Sequence, residues 1–99
     1  MIKGWVKKEA AIKQFKSTMC KSWIGTKYNK WAPCKISLPL EKEGLGKVKI
    51  RFSGKNMPLS GQKWEVLVDI DNVMFQHKIL KCSIPLKHYD NFMAIINNL

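Results

Sequence analysis

Two histidines and seven acids are the groups from which proton-transfer chemistry could be built, and three cysteines with one of those histidines are the groups that could hold a metal. Neither set has the spacing its chemistry needs. The chain carries no Gly-rich phosphate loop, no nucleophile elbow and no pair of histidines one helical turn apart. His77 falls at an apolar-facing position of an expected strand, where a hydrogen-bonded, half-buried imidazole is the ordinary outcome, and His88 falls in an expected helix with its ring outward. Cys20, Cys34, His77 and Cys82 could in principle supply four zinc ligands. None of the pairs has Cys-x2-Cys or His-x3-His spacing, and His77-x4-Cys82 is a weak substitute. No catalytic residue, metal or cofactor is therefore expected; the cysteines read as small buried hydrophobes.

Charge is the stronger signal. Eighteen basic residues against seven acids leave a net charge of +11. The excess is uneven: residues 1–35 hold nine Lys and the single acid Glu9. Within this stretch the cations interleave with aromatic rings, Lys21-Ser-Trp23-Ile-Gly-Thr-Lys27-Tyr28-Asn-Lys30-Trp31, and further along Lys47, Lys49 and Arg51 alternate with Val48, Ile50 and Phe52. Lysines set along a surface neutralise phosphates and release counterions, and an exposed ring stacks on an unpaired base. The residues expected to contact nucleic acid are Lys16, Lys21, Lys27, Tyr28, Lys30, Trp31, Lys47, Lys49 and Arg51. Arg51 is the only arginine; with so few guanidinium forks to read guanine edges, the expected binding is backbone-directed, of low sequence specificity, and does not distinguish DNA from RNA.

Lys, Ile and Asn fill a third of the chain. An AT-rich coding sequence writes such a bias, which fits a phage, a plasmid or another mobile element, or a low-GC bacterium, and it raises net charge with or without a partner. Two other functions compete with nucleic-acid binding on this ground. One is a protein-interaction module, a small inhibitor or adaptor that addresses an acidic surface and uses Trp5, Met57 and Leu59 as anchors. The other is a compact metal-independent ribonuclease, for which no proton-transfer pair can be named.

The elements that must position these residues follow from periodicity. Ala11, Ile12, Phe15 and Met19 recur at helical spacing between Val6 and Cys20, with lysines around them, and Gly25 offers a stop. Residues 26–31 read as a loop. Cys34, Ile36, Leu38 and Leu40 alternate with Lys35, Ser37 and Pro39, the proline marking an edge or an early strand end. Glu41–Gly46 reads as a turn, 47–52 as an unbroken strand and 53–61 as the longest loop. Trp64–Ile70 alternates, Asp71-Asn72 has hairpin chemistry, and 73–80 reads as a fourth strand reaching towards Ile84. After Pro85, Tyr89, Phe92, Met93, Ile96 and Leu99 mark a closing helix.

The expected fold class is thus α+β in one domain spanning 1–99: an N-terminal helix, a four-stranded antiparallel meander and a C-terminal helix, with curling into a small barrel as the alternative. No apolar run approaches the roughly 18–20 residues that span a bilayer, and the first residues lack the apolar stretch of a secretory signal. With an odd number of well-separated cysteines, this places the expected chain in the cytoplasm with no membrane partner.

Overall fold

The computed structural model describes residues 2–15, 18–37, 42–43 (backbone only), 46–52 and 64–98. The strands are β1 (Ile2–Lys7), β2 (Trp31–Ile36), β3 (Lys42–Glu43), β4 (Lys47–Phe52), β5 (Trp64–Asp69), β6 (Val73–Gln76) and β7 (Ser83–Pro85), and alternation of inward apolar residues accounts for the four six-residue ones, β1, β2, β4 and β5. In β4, Val48, Ile50 and Phe52 are buried while Lys47 and Arg51 are exposed and Lys49 is half-buried. A strand with one face on a core requires this period of two. β1, β2 and β5 repeat it, burying Gly4 and Val6, then Ala32, Cys34 and Ile36, then Trp64, Val66 and Val68.

All seven strands form one antiparallel sheet. β5 pairs with β4 along its whole length, so β2 and β3, which also pair with β4, lie end to end on its other edge. The order across the sheet is β5, β4, β2 with β3, β1, β6, β7. β5 and β6 thus stand four steps apart, about 19 Å in a flat sheet at ~4.8 Å per step. Yet only the 3-10 turn Ile70–Asn72 joins them, and four peptide units span at most about 14 Å. The sheet must therefore curl, its concave side enclosing the core. It is not closed: among the described residues no pairing joins β5 to β6 or β7.

This topology corrects the four-strand meander and the closed barrel. Asp71-Asn72 does not close a hairpin, because the backbone there takes a 3-10 turn rather than the left-handed conformation a tight hairpin turn needs. Ile70 N–H donates to the Gly46 carbonyl at 2.8 Å, and β6 is delivered to β1. The expected strand over 73–80 breaks at His77: residues 78–80 turn, Lys81 adopts a φ of 59°, and β7 returns along β6. β1 is a strand where the first helix was expected to begin. Gly4 lies between β2 and β6, where a Cβ would strike the Met74 carbonyl and stand 2.6 Å from Ile36 Cδ1; no larger residue fits this approach.

The expected N-terminal helix is two, α1 (Lys8–Gln14) and α2 (Thr18–Lys27). The break falls at Phe15, whose backbone is extended and whose ring lies 5.8 Å from that of Phe52 and 5.4 Å from that of Trp64. Past the break the buried face changes: Cys20 and Ile24 are buried, whereas Met19, which fitted the unbroken periodicity, is 54% exposed. Gly25 lies inside α2 rather than at its end. Lys8 Nζ donates to the carbonyls of Gly25 and Tyr28 at 3.3 and 3.1 Å, satisfying acceptors at the end of α2. α3 (Tyr89–Asn97) covers the other end of the core, with Tyr89 and Phe92 edge-on to Phe75. Leu38, Pro39 and Leu40, residues 41, 44 and 45 of the expected 41–46 turn, the 53–61 loop with Met57 and Leu59, and Leu99 lie outside the described residues, and within that turn Lys42–Glu43 form β3. Among those described, no helix is long and apolar enough to cross a membrane.

Candidate functional site

The convex face of the sheet carries every second residue of the strands, and there cations and rings fall into rows. Register pairs Lys3 with Lys35 across β1 and β2, and Lys35 with Arg51 across β2 and β4. Paired residues point to the same face, so three like charges stand in a line, and all three are exposed. Glu65 is opposite Arg51 at the far end and closes the row with an opposite charge, although no ion pair within 4 Å joins the two side chains. Like charges directly opposed on a sheet are destabilising. Nothing in the core requires them.

The next row, two residues along each strand, is apolar: Pro33 pairs with Trp5, and Trp5 with Met74. Beyond it Lys7 pairs with Trp31. Lys3 Nζ stands 5.8 Å from the Trp5 ring centroid and Lys7 Nζ 5.9 Å from that of Trp31, at the outer limit of cation–π attraction. Trp5, Trp31, Met74 and Ser83 line a notch of about 240 Å3 in this face. The two indoles are half-buried. They differ from Trp64, which is in the core, and from Trp23, which packs edge-on against Trp64 and Tyr28 at 5.4 and 5.8 Å.

The nine residues picked out by sequence are distributed over this framework. Trp31 and Arg51 stand in the rows just described, and exposed Lys30 precedes Trp31, beside Lys7, Lys8, Glu9 and Asn29 around a hollow of about 160 Å3. Lys47 shares the outward side of β4 with Arg51 but pairs with Asp69, and half-buried Lys49 pairs with Leu67. Lys21 and Lys27 are exposed on α2, with Lys27 Nζ 4.8 Å from the Trp23 ring centroid. Tyr28 is half-buried against the core. Lys16 lies outside the described residues.

The remaining reactive side chains are built into the structure. His77 Nδ1 accepts from the Leu80 N–H at 3.0 Å, and its ring stands 5.3 Å from that of Phe92. Cys20 and Cys34 are buried and Cys82 half-buried, and no disulfide joins them. Burial pushes the Cys34 thiol from 9.0 up to about 12, opposite to the shift that activates a cysteine. Among the described residues, no three His, Cys, Asp or Glu side chains converge as metal ligands would.

Lys3, Lys7 and Lys35 were not among the residues sequence singled out for this role, and Trp5 was read as an anchor for a protein partner. A signal existed: Ile2, Gly4 and Val6 alternate with Lys3, Trp5 and Lys7. Glycine at the centre of that run and the helical spacing that follows it concealed the strand. Compared with protein-family models, curated proteins and solved structures, the chain matches none.

Proposed function

We propose that this protein binds nucleic acid through its phosphate backbone, with little sequence preference, on the convex face of the sheet. The observation that carries the reading is the Lys3–Lys35–Arg51 row. Opposed like charges cost stability in the free protein, and a polyanion laid across them removes that cost while releasing its own counterions. Lys7, Lys30 and Lys49 extend the positive surface at either end, whereas Lys47 faces Asp69 and Lys21 and Lys27 lie apart from this face, on α2. The predominance of Lys over Arg supports contact with phosphates rather than with base edges.

Fluorescence anisotropy with labelled single-stranded and duplex oligonucleotides at two salt concentrations tests this. Reversing Lys3, Lys35 and Arg51 to Glu is expected to abolish binding at low salt, whereas reversing the exposed Lys13, Lys78 and Lys87 weakens it several-fold at most. Absence of binding to any DNA or RNA at low salt overturns the reading.

A protein partner is the second reading, favoured by the turn at 78–80. Ile79 is 81% and Leu80 55% exposed there, beside a groove of about 420 Å3 whose walls include Phe75, Tyr89 and Met93 and whose cations are Lys3, Lys78 and Lys81. An acidic segment with apolar anchors fits that chemistry. Failure of every oligonucleotide to bind makes this the leading reading.

A further inference from the structure

We infer that the notch between Trp5 and Trp31 receives an unpaired base, so that the preferred ligand is a single strand. The inference rests on the nucleic-acid reading above and adds the ligand class. The chain has a separate aromatic cluster for its core, formed by Phe15, Phe52, Trp64 and Trp23. Trp5 and Trp31 take no part in it; they occupy outward positions in the central strands β1 and β2. Both indoles are half-buried and keep part of their surface open outside the core cluster, and an exposed indole gives an unpaired base a stacking platform.

Charge complementarity fixes the occupant. Along β1 the outward residues run Lys3, Trp5, Lys7, so each ring has a cation on either side at ~6.7 Å per two residues or is paired with one. A strand lying along this line places phosphates on the lysines and a base over the ring between them. In a duplex the faces of the bases are stacked on one another and closed to an indole, so paired nucleic acid meets only the lysines. Among the described residues, the walls Trp5, Trp31 and Met74 offer no hydrogen bonds to a base apart from the indole N–H groups, and the Ser83 hydroxyl is the other polar side-chain group at the notch. The site therefore discriminates weakly among bases, as stacking platforms do.

An abasic oligomer separates the two layers of the reading, since it keeps every phosphate and lacks every base. Anisotropy titrations use a 12-residue oligothymidylate, the abasic 12-mer, a 12-base-pair duplex and a proline-rich peptide, the last because tryptophan-lined grooves also take polyproline. The wild-type protein is expected to bind oligothymidylate roughly 5- to 150-fold more tightly than the abasic oligomer, the range that corresponds to stacking of one base. Trp5→Leu and Trp31→Leu are expected to lose that ratio while keeping affinity for the abasic strand. Equal wild-type binding to oligothymidylate, abasic strand and duplex overturns the stacking inference and leaves phosphate binding standing. Binding to none of the three overturns both, and binding of the peptide alone assigns the notch to a protein. The wild-type comparison decides the matter even if a tryptophan variant does not fold.

Discussion

Replacing Lys35 with Glu should make the free protein more stable and a worse ligand for nucleic acid. Lys35 is paired with Lys3 on one side and with Arg51 on the other, so the change turns two repulsive cross-strand pairs into two attractive ones. Directly opposed pairs are worth roughly 0.2–1 kcal/mol, and exposure of all three side chains puts this case towards the lower half of the range. The two reversals together should contribute about 1 kcal/mol, or a rise in melting temperature of about 4–8 °C for a domain of this size. Lys35→Gln, which removes repulsion without adding attraction, should give about half of that. Lys, Gln and Glu are all indifferent strand formers, so the series reports mainly charge. Thermal unfolding followed by circular dichroism at low salt measures the gain. At about 1 M salt the Debye length shrinks to ~3 Å and the gain should largely vanish. A Glu variant no more stable than the wild type at low salt, or a gain that persists at high salt, would show that the row stores no repulsion.

Three further outcomes test the fold itself. Gly4→Ala sets a Cβ 2.6 Å from Ile36 Cδ1 and against the Met74 carbonyl in a strand held on both sides; it should cost about 2–3 kcal/mol in urea unfolding, and a loss below ~0.5 kcal/mol would contradict the close approach of β1 and β6. Phe15→Ala empties the space between Phe52 and Trp64 and should cost about 3–5 kcal/mol; a loss below ~1 kcal/mol would mean that the helix break serves no packing. With the Cys34 thiol raised from 9.0 to about 12 by burial, the unfolded chain gives up this proton first. Its share of stability is whole below pH 9 and falls by about 1.4 kcal/mol per unit as pH climbs towards 12. The wild type should thus lose stability faster than Cys34→Ala over that window; parallel losses would refute it.

Sequence carried the fold where one rule governed. β4 and β5 alternate without interruption, and both form where alternation puts them; the closing helix likewise follows its apolar spacing after Pro85. Sequence failed where tertiary packing overrode a local pattern. The helical spacing through Ala11, Phe15 and Met19 continues past Phe15, but inserting that ring beside Trp64 breaks the helix and turns Met19 outward. Asp71-Asn72 has the residues of a hairpin turn, and whether β6 returns to β5 or crosses to β1 depends on the curl of the whole sheet. The candidate face was half visible for the same reason. Trp31 and Arg51 could be named individually, but the row of Lys3, Lys35 and Arg51 exists only through the register of three strands, and β1 itself was masked by Gly4, a residue rare in strands but required at this crowded position.

The claim that the convex face meets phosphates is tested most directly by the salt dependence of single-strand binding. Each phosphate neutralised contributes about −0.7 to the slope of log K against log salt for a single strand. Removing the charges of Lys3, Lys35 and Arg51 together, as Lys3→Gln, Lys35→Gln and Arg51→Gln, should therefore flatten the oligothymidylate slope by about 2. Removing those of Lys13, Lys78 and Lys87 should leave it nearly unchanged. An unchanged slope in the first variant, or equal flattening in both, would mean that the row makes no special contact with phosphate.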